Sequence, residues 1–301
     1  ATTNSAATKV AGYIFRVLDA SKTVVIDETI ETTETSMTKL VGPIADGNYT
    51  AWVAAFDNAG NVGAAAELQF KVDTTAPTVP VLTAKPANPT NETSYTVEWN
   101  ASTDALSEIQ GYNVWVNGTQ VATLQTATTY TFDYAAIGST DGEVIVEVSA
   151  VDKATTNGNE SAKVSYTFVV DTTAPAAPTE LNLDPKPENG ENVINTALPT
   201  FKWTRMTEQG SGVEGYELTV GSDTYTVGQP EVGQPVVFTI TNSLQDGTYT
   251  ASVVSVDAAG NKTGTGTTLD FVVHNIAPVV ENLEQTTDET DSTQTFTWTA
   301  T

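Results

Sequence analysis

Cysteine is absent from the 301 residues, and histidine occurs once, at His274. The first absence excludes a disulfide framework, a thiolate nucleophile and cysteine-ligated zinc. It also points toward a prokaryotic surface protein, because secreted eukaryotic domains of this kind often carry disulfides. Basic residues are scarce, with Lys plus Arg at 12 against 37 Asp plus Glu, a formal net charge of −25. Nucleic acid and anionic bilayers are recognised through basic patches, so neither is an expected partner. No apolar run approaches the roughly 20 residues that cross a bilayer, so no membrane insertion is expected. No long Leu/Ala/Glu/Lys stretch marks a helical protein. The chain also opens at Ala1 without a Met or a signal-like stretch, and reads as a processed product or a segment of something longer.

What is present is Thr, Ser, Asn, Gly and Ala, with 39% hydrophobic and only 16% charged residues. Thr and Val are β-branched and suit a pleated surface. The chain repeats itself. Asp46-Gly47-Asn48-Tyr49-Thr50-Ala51-Trp52-Val53 recurs as Asp246-Gly247-Thr248-Tyr249-Thr250-Ala251-Ser252-Val253, with a divergent copy from Asp141-Gly142 through Val144 to Asp152. Each is a turn followed by an alternating strand. Each strand ends in an acidic turn, Asp57-Asn58-Ala59-Gly60-Asn61, Asp257-Ala258-Ala259-Gly260-Asn261 and a looser Asp152 to Asn159. A last strand then runs into Asp73-Thr74-Thr75-Ala76-Pro77, Asp171-Thr172-Thr173-Ala174-Pro175 or the altered His274-Asn275-Ile276-Ala277-Pro278. Proline cannot continue a ladder, so these three prolines, about 100 residues apart, mark strand exits and domain junctions. Upstream lie Tyr95-Thr96-Val97-Glu98-Trp99 and Phe201-Lys202-Trp203, and a Gly-Tyr pair follows, its tyrosine 13 residues past each Trp. Alternation puts Val97 with Trp99, and Phe201 with Trp203, on the core face.

A Trp on an early strand, Gly-Tyr opening the next, the Asp-Gly-x-Tyr-Thr strand and the Asp-x-Ala-Gly-Asn turn together resemble the fibronectin type III and bacterial immunoglobulin-like domains of surface-layer proteins, adhesins and secreted polysaccharide-degrading enzymes. The resemblance covers essentially the whole chain. It implies an all-β fold of tandem antiparallel sandwiches arranged as an elongated rod. The expected divisions are 1–77, lacking its first two strands, 78–175, 176–278, and 279–301 as the first two strands of a further domain. Two departures stand out. Val144 replaces Tyr49 and Tyr249, which puts the tyrosine-corner contact of the middle repeat in doubt. His274-Asn275-Ile276 replaces Asp-Thr-Thr.

Residues 1–77 and 279–301 together make about one repeat. Two explanations fit. In one, copies join head to tail, with Leu283, Phe296 and Trp298 of one chain completing the domain around Tyr13 of the next. In the other, the chain is one window of a longer array and the partners are neighbouring domains.

Catalysis is not expected. One histidine at a strand exit makes no triad, no Gly-rich phosphate loop ends in Lys-Ser/Thr, and no cofactor is required. The best site hypothesis is calcium, at Asp57, Asp152 and Asp257 on equivalent strand ends and Asp73 and Asp171 at junctions, since clustered carboxylates and turn carbonyls suit a hard cation. Asp-x-Ala-Gly-Asn is equally good turn chemistry without a metal. Sequons at Asn48, Asn91, Asn100, Asn117, Asn159 and Asn261 admit glycans. Trp52 and Trp115 are candidates for sugar contact or for packing. The leading expectation is therefore a structural subunit of an extracellular filament, surface layer or stalk. The alternative is an adhesin or carbohydrate-binding accessory array within a larger secreted protein.

Overall fold

Ser94–Asn100 alternates between exposed and buried at every residue, with Tyr95, Val97 and Trp99 inward. That period of two is the signature of a sheet with one wet face, and it repeats along the chain. The computed structural model describes residues 9–133, 141–154, 158–188, 190–285 and 294–300. Parts of the expected terminal segments, residues 1–8, 286–293 and 301, lie outside the described residues. No helix occurs among the described residues. The protein is all-β, built of immunoglobulin-like antiparallel sandwiches. Its contacts separate it into two compact units, one formed by residues 1–86, 93–139 and 144–167, the other by 87–92, 140–143 and 168–301.

In the first unit, β1 (Val10–Asp19), β2 (Val24–Glu31), β3 (Gly47–Asp57) and β4 (Ala66–Val72) form one antiparallel sheet in the order β2-β1-β3-β4. Its inward side carries Phe15, Val17 and Tyr49, packed with Ile26, Ile30, Phe70 and Val72 and with Val41 and Ile44 from the segment between β2 and β3. Next come β5 (Val81–Ala84), β6 (Ser94–Asn100), β7 (Ile109–Val116), β8 (Thr119–Gln125), β9 (Thr129–Asp133), β10 (Gly142–Asp152) and β11 (Val164–Val170). They form the three-stranded sheet β5-β6-β9 and the four-stranded sheet β11-β10-β7-β8. The β7–β8 hairpin turns on Asn117 (φ 49°) and Gly118 (φ 76°), the two positive-φ positions of a type I′ turn.

The second unit holds β12 (Asn182–Leu183), β13 (Val193–Ile194), β14 (Thr200–Trp203), β15 (Val213–Val220), β16 (Asp223–Gly228), β17 (Val236–Thr239), β18 (Gly247–Asp257) and β19 (Thr267–Val273). Sheet β12-β14-β17 faces sheet β13-β19-β18-β15-β16 across a core centred on Phe201, Trp203, Tyr216, Leu218, Val253 and Phe271. Two edge-to-face ring pairs lock the faces, Phe201–Phe271 and Trp203–Tyr216, each with centroids 5.5 Å apart. Such pairs add about 0.5–1.5 kcal/mol to area burial. Last come β20 (Val280–Gln285) and β21 (Phe296–Ala300), an antiparallel pair of its own.

The Gly-Tyr signature has a packing reason. A Cβ on Gly12, Gly111 or Gly215 would meet the backbone of the neighbouring strand at 2.3 Å (Ile30 O), 2.5 Å (Leu124 C) and 2.7 Å (Val227 O). The tyrosine-corner expectation also resolves. Tyr49 donates to Ala45 O (2.8 Å) and Tyr249 to Gln245 O (3.0 Å), each four residues back. At the equivalent place Val144 is buried as an ordinary apolar core residue.

Candidate functional site

Each long strand that ends in Asp delivers that carboxylate into its own turn. Asp152 Oδ1 accepts from the amides of Ala154 (2.9 Å) and Asn159 (2.8 Å), and its Oδ2 accepts from Asn159 Nδ2 (3.0 Å). Asn159 Nδ2 also lies 3.2 Å from Asp73 O and from Thr75 O, so the turn is tied to the junction peptide. Asp257 repeats the pattern, with Oδ1 accepting from Asn261 N and Oδ2 from Asn261 Nδ2, both at 2.8 Å, while Asn261 Nδ2 reaches Asp171 O at 2.8 Å.

Because the turn and the junction meet, their carboxylates meet as well. Asp73, Asp104 and Asp152 bring one carboxylate oxygen each to within 4.8 Å of one another, and Asp171, Glu208 and Asp257 do the same. Asp73, Asp152, Asp171 and Asp257 are buried. The loop after the Trp strand supplies the third member, Asp104 or Glu208, each five residues past its Trp. Asp104 Oδ1 accepts from Leu106 N and Ser107 N, both 2.8 Å, and the Ser107 hydroxyl donates to Asp73 Oδ2. Glu208 accepts from Gly210 N and Gly212 N, both 3.0 Å, while Ser211 N donates to Asp171 Oδ2 at 2.6 Å. Gly210 is needed there, since a Cβ would stand 2.3 Å from Asp171 Oδ2.

Electrostatics differ between the two clusters. The amides of Ser107 and Leu106 hold the Asp104 carboxyl below its usual range. Burial, followed by the charge of Asp171, pushes Glu208 up. Among the described residues, the Lys, Arg and His ion pairs involve other carboxylates. Each cluster thus concentrates negative charge without a basic counter-ion. Oxygens bound at 2.3–2.6 Å to one calcium lie at most about 5 Å apart, so both donor sets fit a hard divalent cation.

The five aspartates expected from sequence therefore divide. Asp73 joins Asp152, and Asp171 joins Asp257. Asp57 instead accepts from Ala59 N, Asn61 N and Asn61 Nδ2, all 2.9 Å, and joins no acidic cluster among the described residues. Those bonds, the Asn61 side chain first, hold its carboxyl low. Asp104 and Glu208 escaped the sequence reading, and their shared offset from the Trp was the available signal. The conserved Thr-Thr of the junctions has its own partner. Asp46 accepts from Thr74 N, Thr74 Oγ1 and Thr75 Oγ1, and Asp141 accepts from Thr172 Oγ1 and Thr173 Oγ1. At the altered junction Asp246 accepts from Asn275 N (3.0 Å), with His274 Nδ1 3.6 Å from its other oxygen.

The remaining candidates are placed as follows. Tyr13 is half-buried and donates to Glu34 O at 3.0 Å, while Leu283, Phe296 and Trp298 are exposed on β20 and β21. Trp52 lies under the Arg16 guanidinium (5.3 Å) and Trp115 under Lys163 (3.7 Å), so one face of each ring is already covered by a cation. Of the sequon asparagines, Asn48, Asn91, Asn100 and Asn117 are exposed, whereas Asn159 and Asn261 spend Nδ2 on the turn and junction.

Residues 177–275 match the family model of the bacterial Ig-like domain. Chitinase A1 of Niallia circulans is 34% identical over 197 residues, 63% of this chain and 25% of that protein. Exoglucanase B of Cellulomonas fimi is 34% identical over 245 residues, 76% of this chain and 20% of that protein. Exoglucanase A of the same organism is 34% identical over 228 residues, 71% and 24%. The chain spans a quarter or less of the length of these relatives. Among solved structures, the FN1–FN3 domains of chicken CNTN1 cover 90% of this chain and 91% of their own at 16% identity and a TM-score of 0.41. The fibronectin(III)-like modules of Clostridium thermocellum CbhA cover 64% and 93% at 11% identity and a TM-score of 0.42.

Proposed function

The chain is a tandem array of immunoglobulin-like, fibronectin type III-like β-sandwich domains, and from that premise we propose that it is a non-catalytic accessory array within a larger secreted bacterial protein that acts on polysaccharide. The observation that carries this reading is the alignment with three polysaccharide-degrading enzymes, each of which matches over a quarter or less of its length. In this role the array separates and orients other modules outside the cell. Its stiffness comes from the junctions. Each Asp-Thr-Thr-Ala-Pro segment is clamped by an aspartate from the preceding turn and latched by an asparagine from the following repeat. Calcium at Asp73, Asp104 and Asp152, and at Asp171, Glu208 and Asp257, would neutralise the clustered charge and tighten the same segments.

The intact mass of the native polypeptide, taken under denaturing conditions, tests the reading. A mass several times 31.7 kDa, with polysaccharide-degrading activity residing outside these 301 residues, is the expected result. A native polypeptide of about 31.7 kDa assembled into filaments overturns it in favour of a head-to-tail filament subunit.

A further inference from the structure

The sandwich of residues 181–273 and the first sheet share their inward-facing residues but not their cover. In the sandwich, Phe271 stacks on Tyr249 at 5.7 Å and takes the edge of Phe201 from the opposing sheet, while Tyr216 takes Trp203. The first sheet repeats the receiving half. Phe70 stacks on Tyr49 at 5.7 Å, and Tyr13 holds the Tyr216 position after its glycine. Yet Phe70 is only half-buried and Leu68 is 68% exposed on the same inward side, where Phe271 is 2% exposed. A cavity of about 550 Å³ lies over this end of the sheet, lined by Tyr49, Phe70, Lys22 and Lys71 among others.

β20 and β21 repeat the delivering half. Phe296-Thr297-Trp298 matches Phe201-Lys202-Trp203, and alternation puts both rings on one face. There they are 51% and 59% exposed, with Leu283 at 67%.

We infer that the inward face of the first sheet is a docking surface for a two-stranded Phe-x-Trp unit, and that its occupant is the β20–β21 pair of a second copy of this chain. Phe296 would take the place against Phe70 that Phe201 takes against Phe271, and Trp298 the place against Tyr13 that Trp203 takes against Tyr216. The contact is face to face, as between the sheets of one sandwich. Charge favours it, since Lys22 and Lys71 line the receiving cavity while Glu281 and Glu284 are the charged residues of β20 and β21. Area favours it too. Two aromatic side chains bury about 150–250 Å² each, and the strands that carry them bring the contact toward the roughly 800 Å² per partner of a stable interface. The two surfaces differ, so the association is heterologous and produces chains or rings rather than a closed dimer.

Sedimentation of the 301-residue chain over a wide concentration range tests this. The expected result is concentration-dependent growth beyond the dimer, with Trp emission shifting to the blue. The double substitution F296A/W298A removes the delivering half, and L68E charges the receiving half. Each weakens self-association by roughly a hundredfold or more if the rings are central anchors. Mixing the two variants restores one intact contact and yields one-to-one dimers and nothing longer. Both substitutions fall on exposed side chains, and unchanged circular dichroism identifies folded variants. A wild-type chain that stays monomeric at every concentration overturns the inference, and so does association that survives both substitutions.

Discussion

The first sheet and the sandwich of residues 181–273 use the same strand order around the same Gly-Tyr and Asp-Gly-x-Tyr-Thr signatures, yet only one of them seals its core. In the sandwich, a short strand of four residues, Thr200–Trp203, delivers two rings that are almost wholly buried. In the first sheet, the loop residues Val41 and Ile44 stand with the core instead, and Leu68 is left in solvent. The difference teaches that the strands of one sheet settle register and turn geometry locally, whereas burial depends on a partner layer. The largest expected effect follows directly. Phe271→Ala removes a ring packed on both sides and should cost about 3–5 kcal/mol. Phe70→Ala, at the equivalent place, should cost well under half of that. Urea unfolding of the two variants checks it, and equal losses would show that the first sheet is as well covered as the sandwich.

The comparison sharpens at the junctions. If the two carboxylate clusters take calcium, the chain binds two ions, and calcium at a hundredfold excess over its dissociation constant raises stability by about 2.7 kcal/mol. Isothermal titration of the EDTA-treated chain should count two sites. Asp152→Asn should remove one and Asp257→Asn the other, while Asp57→Asn should remove none. No heat and no rise in melting temperature would sink the calcium assignment and leave the clusters as turn chemistry.

A smaller effect lies in the tyrosine corners. Tyr249→Phe deletes a hydroxyl that donates to Gln245 O and should cost about 0.5–1.5 kcal/mol. Tyr49→Phe deletes the matching bond to Ala45 O and should cost a similar amount. Thermal melts of the two variants check it. A negligible loss at both would mean that the register of these strands is held by the glycine approaches alone.

Much of this was legible in the sequence because the signals are local. Strand alternation, the Asp-Gly turns and the prolines at the junctions act within a few residues. The pairings Asp73 with Asp152 and Asp171 with Asp257 were half legible, as residues that recur in register but whose meeting depends on how the strand-end turn folds back. Asp104 and Glu208 were not legible, because they sit in loops of unlike sequence and differ in residue type. The role of Asp46 and Asp141 was hidden for another reason. An aspartate before a turn glycine reads as turn chemistry, and its grip on Thr-Thr nearly 30 residues later appears only once the strands have paired. The filament reading expected first drew on the repeat pattern alone, while the relatives favour the accessory array.

The smallest expected effect is confined to alkaline pH and reports how tightly the sandwich is sealed. Burial first, against opposing contributions from the Met206 amide and Arg205, pushes the Tyr216 phenol above its ordinary 10.0. The Met206 amide donates to its oxygen at 2.7 Å, and the hydroxyl donates to Gln229 Oε1 at 3.0 Å. A raised value in the folded state means that the fold binds this proton more tightly than the unfolded chain does. The corresponding stability is therefore complete below the unfolded pKa and is lost as pH rises through the folded one. Absorbance titration should show one tyrosine ionising later than the exposed ones. Trp203→Ala, which opens the ring's neighbour, should bring that ionisation back toward the ordinary value. If Tyr216 titrates with the rest in the intact chain, water reaches the centre of the sandwich, and the contrast with the first sheet is smaller than the ring geometry implies.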